Sequence, residues 1–236
     1  GEASEVTVRV GVATGQRLVV AAPTAAGVRL PGDVVVVGRD ELRRGRRAWI
    51  CEQVAGRRWR VSATSFFQVG PDGAEALVEA VLRAAAPLPV GPATVVDAYS
   101  GVGLLAAALA SPRTVPRADA RRVVAVERGR SAVADARHNL ADRWAEVVRA
   151  PVERVRLPEA DLVVADPARA GLGGQAVRTL AATGAPRLVL VSCDPAALGR
   201  DTALLRDVGY AHAATTLVDL FPGTHHVEAV SAFVRN

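Results

Sequence analysis

The 236-residue chain is predicted to be an α/β protein: a mostly parallel sheet flanked by helices, ending in an antiparallel hairpin and preceded by a small β-rich domain. Three observations predict this. From residue 94 onward, short apolar runs alternate with helix-length segments, the pattern of parallel strands joined by crossover helices. Up to residue 62 the chain instead alternates with a strand period between Gly, Pro and Asp breaks. After Gly209, two strand-like runs follow each other with no helix between them.

In chain order, residues 5–10, 17–20, 34–37, 48–54 and 59–61 read as the strands of the first domain, residues 1–62. Its arginines cluster at Arg39, Arg43, Arg44, Arg46, Arg47, Arg57, Arg58 and Arg60, with Trp49 and Trp59 interleaved. Such strands can hold an RNA backbone and stack a base, or form a solvated hairpin whose tryptophans face the core. The second domain, residues 63–236, opens with a helix from Asp72 that a proline-rich stretch ends at 87–92. Strands at 94–98, 122–127, 146–149, 162–166 and 188–193 then alternate with helices from Gly103, Arg130, Gly173 and Pro195. The tail strands, 210–220 and 226–234, are joined by Phe221-Pro222-Gly223-Thr224. The whole reads as a Rossmann-like sheet.

Composition narrows the function classes. Half the residues are apolar, enough for a sizeable core, and no uninterrupted apolar run is long enough to span a membrane. The N-terminus lacks a basic-then-apolar signal pattern, and the absence of methionine predicts that the full-length protein begins earlier. The net charge is +5, and all 29 basic residues are arginine, which binds phosphate bidentately and stacks on bases. A polyanionic partner fits, as does a compositional bias toward arginine. Two distant cysteines predict no disulfide and a reducing, cytoplasmic setting; with four histidines and no paired ligand spacing, no metal site is predicted.

The candidate chemistry collects at predicted carboxyl ends of strands, where open α/β sheets bind ligands. The first βα turn, Asp97-Ala98-Tyr99-Ser100-Gly101-Val102-Gly103, lets a ligand approach its backbone at Gly101 and aims a helix N-terminus at it. Glu127 ends the next strand, where a carboxylate can accept both hydroxyls of a ribose; a surface acid is the plainer alternative. Asp166 precedes Pro167 in a turn that can orient cofactor or substrate. Cys193 follows the apolar run 188–191 and precedes Asp194-Pro195 at a helix start, where a thiol's pKa falls; a buried cysteine packing as a small hydrophobe is the other reading.

Taken together, several ordered motifs resemble the RNA 5-methyluridine methyltransferases, S-adenosylmethionine-dependent uracil-C5 enzymes of tRNA or ribosomal RNA. They are Phe66-Phe67-Gln68-Val69, 97–103, Glu127, Asp166-Pro167-Ala168-Arg169-Ala170-Gly171, Val191-Ser192-Cys193-Asp194-Pro195 with Leu198-Gly199-Arg200-Asp201, and Asp219-Leu220-Phe221-Pro222-Gly223-Thr224-His225-His226-Val227-Glu228. The resemblance covers about residue 64 to the C-terminus. It implies a class I methyltransferase sheet, with Gln68, Tyr99, Gly101, Glu127 and Asp166 around S-adenosylmethionine, Cys193 as nucleophile and Glu228 as base. Ala168 departs from the family's second proline and Ser100 from a common cysteine, and neither removes a reacting group. The family's N-terminal oligonucleotide-binding domain has no counterpart in this sequence.

The residues support those roles on chemical grounds. A thiolate adding to uracil C6 makes C5 nucleophilic toward a sulfonium methyl, and a carboxylate can then remove the C5 proton. The predicted hairpin brings Glu228 back beside Cys193. An RNA cytosine-C5 methyltransferase would use a second cysteine where Ala168-Arg169 stand. An amino-group methyltransferase would need no thiol, and a non-catalytic RNA-binding protein would need neither group.

Overall fold

The computed structural model describes residues 3–68, 70–220, 223–224 and 227–236. Val69, Phe221, Pro222, His225 and His226, quoted in the motifs above, lie outside the described residues, as does the predicted strand start at His226.

Among the described residues the first part contains five strands, β1 (Glu5–Val10), β2 (Arg17–Ala22), β3 (Val34–Gly38), β4 (Trp49–Val54) and β5 (Arg57–Ser62). They form two sheets: β2 pairs antiparallel with β1 and parallel with β3, while β4 and β5 make a separate hairpin. Between them lies α1 (Arg39–Arg43), a helix that the strand reading did not anticipate. Its cause is local. Asp40 and Glu41 occupy the first turn, where acids favour the helix dipole, and the Glu41 carboxylate accepts the Gly38 N–H at 2.7 Å.

After α2 (Pro71–Ala85) come β6 (Ala93–Ala98), α3 (Leu104–Leu109), β7 (Arg121–Glu127), α4 (Arg130–Asn139), β8 (Ala145–Arg149), β9 (Leu162–Ala165), α5 (Gly173–Ala181), β10 (Arg187–Ser192), α6 (Pro195–Asp207), β11 (Tyr210–Val218) and β12 (Glu228–Arg235). The seven strands order as β11-β12-β10-β9-β6-β7-β8, with β12 antiparallel to both its neighbours and the other pairs parallel. The chain leaves β6 toward β7 and β8, then returns to β9 on the other side. A crevice therefore opens at the carboxyl ends of β6 and β9, as it does wherever winding reverses. Leu188, Val189, Leu190 and Val191 of β10 are wholly buried, because helices cover both faces of the sheet.

Apolar residues of both parts pack in one cluster, running from Leu18, Val37 and Trp59 to Leu77, Val81 and Leu105. A buried polar clamp joins them as well. Asp135 of α4, with no exposed surface, accepts the Arg60 Nε–H at 2.7 Å, the Ser62 N–H at 2.8 Å, and the Ser62 and Ser65 hydroxyls at 2.7 and 2.6 Å. One turn on, the Asn139 amide pairs with both backbone groups of Arg60 and donates to the Val102 carbonyl at 3.0 Å. Arg57 adds a two-pronged pair with Asp142 at 2.8 and 2.9 Å.

Candidate active site

The glycine-containing turn after β6 is held open by its own backbone. Tyr99 adopts a left-handed φ of 63°, and its hydroxyl donates to Glu153 Oε1 at 3.2 Å. Gly103, at φ 94°, lies so close to Leu140 that a Cβ there would stand 3.0 Å from the leucine's Cδ1. Glu127, at the end of β7, braces this turn: its carboxylate accepts the Gly101 N–H at 3.1 Å and the Gly129 N–H at 2.5 Å. Each of those oxygens keeps a lone pair for an outside donor.

Cys193 lies one residue beyond β10, half-buried. Asp194 caps α6, its carboxylate accepting the Ala197 N–H at 2.7 Å, and Pro195 fills the first helical position. The antiparallel register of β10 and β12 runs to Ser192↔Ala229, so one further step sets Cys193 opposite Glu228. On its other side, Glu228 pairs with Val218 of β11.

Acids crowd this edge. Asp166 follows β9 and is half-buried; burial first, then the Glu228 carboxylate, pushes its pKa up to about 7. Burial likewise raises Glu228. Asp97, the penultimate residue of β6, has no exposed surface, and neither carboxylate oxygen has a hydrogen-bond partner among the described residues. Its pKa lies well above the usual carboxylate range because of burial, then Asp166 and, more weakly, Glu127. Four carboxylates from four strand ends thus influence one another. A ligand carrying positive charge would relieve that repulsion and the unpaired state of Asp97.

The structure therefore gathers Tyr99, Gly101, Glu127, Asp166, Cys193 and Glu228 at one edge of the sheet. Gln68 is in the loop before α2, and α2 reaches the same edge, since a Cβ on Gly73 would meet Leu220 at 3.2 Å. Strands read as ending at Asp166 and Cys193 end one residue earlier, so both residues stand just past the carboxyl ends of their strands. Three contributors had no assigned role in the sequence. Asp97 was signalled by a charged residue inside the apolar run 94–98. Asp201 accepts the Leu172 and Gly173 N–H groups at 2.7 and 3.1 Å, tying the turn after Asp166 to α6. Glu153, which holds Tyr99, carried no sequence signal. Among the described residues no three His, Cys, Asp or Glu side chains are arranged to hold a metal ion, and no helix is long and apolar enough to cross a membrane.

No family model matches the chain. A Streptomyces avermitilis protein named an uncharacterised RNA methyltransferase is 43% identical over 191 residues, covering 78% of this chain and 42% of that protein. An Enterococcus faecalis protein of the same name is 37% identical over 197 residues, 79% of this chain and 41% of that protein. The chain thus spans about two fifths of the length of these curated relatives. Among solved structures, the Pyrococcus abyssi tRNA (uracil-54, C5)-methyltransferase in complex with S-adenosyl-L-homocysteine matches with a TM-score of 0.71 at 27% identity, over 96% of this chain and 58% of that one. M. jannaschii TYW2 in complex with AdoMet matches with a TM-score of 0.55 at 16% identity, over 81% and 89%, a likeness of fold alone. With the strand order, these comparisons show a Rossmann-like class I methyltransferase fold.

Proposed function

We propose that the chain is the catalytic part of an S-adenosylmethionine-dependent RNA (uracil-C5) methyltransferase acting on an unpaired uridine of tRNA or ribosomal RNA. In this reading residues 63–236 form the catalytic domain and residues 1–62 a small β-rich domain ahead of it. RNA as substrate is supported by the names of the relatives, and C5 of uracil by the Pyrococcus abyssi neighbour. The observation that carries the reading is the β10–β12 register, one step short of pairing Cys193 with Glu228, beside the half-buried Asp166.

The cofactor fits the residues present. Its sulfonium and ammonium charges suit the unpaired Asp97 and the raised Asp166, and the braced Glu127 carboxylate can accept ribose hydroxyls. Gly101 and Tyr99 belong to the turn whose backbone would approach it, and Gln68, in the loop before α2, would complete its pocket. When bound, S-adenosylmethionine supplies an electrophilic methyl group.

The chain's own residues do the rest. The target uridine leaves its stack, which costs a few kcal/mol and least where it is already unpaired. The Cys193 thiolate would form a bond to C6, sending the C5–C6 π pair onto C5 as an enolate able to accept the cofactor's methyl group, whose bonding pair would stay on the sulfur. Glu228 removes the C5 proton; the electrons re-form the C5–C6 double bond and expel the thiolate. Burial raises the proton affinity of the Glu228 carboxylate, which suits it to act as base.

RNA containing 5-fluorouridine tests this, because fluorine cannot leave as a proton. A covalent protein–RNA adduct should accumulate and vanish in Cys193→Ala. A chain that methylates RNA yet forms no adduct refutes the mechanism.

A further inference from the structure

A second cavity lies away from the carboxyl edge. It has a volume of about 590 Å³ and opens beside the first halves of β7 and β8, on the edge of the sheet. Arg113, Arg117, Arg122 and Arg156 line it, opposed by a single acid, Glu146, around the half-buried Trp144. All four arginines are exposed, and among the described residues none forms an ion pair.

Two of the four, Arg113 and Arg117, are nevertheless held in place. The Trp144 indole N–H donates to the Val115 carbonyl at 2.9 Å, fixing the ring. The guanidinium of Arg113 sits 4.8 Å and that of Arg117 5.7 Å from its centre. Arg113 is further tied through Nε to the Ala141 carbonyl at 3.0 Å. Stacking on an indole restrains a guanidinium while leaving N–H donors free at its rim. Four like charges gathered around a single acid are a cost in the free chain that a polyanion reduces.

We propose that this cavity is a second RNA-docking site, binding the sugar-phosphate backbone of the substrate apart from the target base. The proposal rests on the reading of RNA as substrate, but not on which base or atom is methylated. RNA is favoured over an acidic protein surface because four planar forks around one cavity match phosphodiester oxygens, which they grip in pairs. Along β7, Arg122 and Glu127 are five residues apart, about 17 Å at the usual rise. A backbone segment gripped here belongs to nucleotides well removed from the one at the carboxyl edge, so the cavity would sense the folded shape of the RNA.

The test uses the full chain and bulk bacterial tRNA as probe, titrated by fluorescence between 50 and 200 mM salt, roughly the range over which phosphate binding is read out. Arg117→Gln/Arg122→Gln/Arg156→Gln should weaken binding at least about tenfold. It should also flatten the slope of log affinity against log salt, by ~0.9 for each phosphate no longer neutralised on duplex regions and ~0.7 on single strands. Thermal melting and S-adenosylmethionine affinity should be unchanged, since none of the three arginines joins the carboxyl edge. Unchanged affinity and slope in a folded variant overturn this proposal alone. Unchanged tRNA binding together with weaker retention on polyglutamate assigns the cavity to an acidic protein and also overturns it. Absence of tRNA binding by the unaltered chain overturns both this proposal and the RNA reading beneath it.

Discussion

Asp166 offers a quantitative test of the acidic edge. In the folded chain its carboxyl titrates at about 7 against an ordinary 3.8, raised by burial and by Glu228. The folded state therefore holds a proton that the unfolded chain has released. Stability from this group is full below the ordinary value and is lost as pH rises through 7. Each unit of that interval is worth about 1.4 kcal/mol, so between pH 5 and pH 8 the ligand-free chain should lose roughly 3 kcal/mol on account of this one carboxyl. Asp97 and Glu228, both raised, slope the same way. Asp166→Asn keeps the shape and removes the titration. Urea unfolding at pH 5, 6, 7 and 8 should show the variant close to the parent at pH 5 and progressively more stable above it. A constant difference across that range would refute the reasoning, because it would mean that Asp166 ionises alike in folded and unfolded chains.

Removing the clamp at Asp135 by Asp135→Ala should cost about 3–5 kcal/mol, measured by chemical denaturation, since the half-buried Arg60 loses its counter-charge and the Ser62 N–H its acceptor. Glu127→Ala should weaken S-adenosylmethionine binding by at least about tenfold in calorimetry, through loss of a charge-assisted acceptor and of the brace on Gly101. Glu228→Gln should trap a covalent adduct even with ordinary uridine RNA, detected on denaturing gels, because the C5 proton has no acceptor. Gly103→Ala forces a left-handed φ and a 3.0 Å approach to Leu140, and should lower stability by about 1–3 kcal/mol in thermal unfolding.

The sheet was legible because burial writes itself into sequence. The run 188–191 is apolar throughout since both its faces are covered, and Asp194-Pro195 marks the helix start through its cap. The approach of Cys193 to Glu228 followed from topology, because a final strand antiparallel to β10 has to begin where β10 ends. Contacts set by tertiary packing were not legible. Asp135 and Asn139 sit in a helix as ordinary polar residues, and only docking of β5 gives them partners. Helix α1 was hidden in a stretch whose arginines drew attention from Asp40 and Glu41. The cavity around Trp144 draws on four separate segments of loop and strand, so no local pattern announces it.

The Asn139 amide ties the hairpin of β4 and β5 to the glycine-containing turn after β6, through its bonds to Arg60 and Val102. Chimeras that exchange the front portion between relatives must therefore carry the α4 side chains with it. A graft that keeps the foreign hairpin but not a matching Asp135 and Asn139 would fold loosely and grip its methyl donor poorly, with every reacting group still in place.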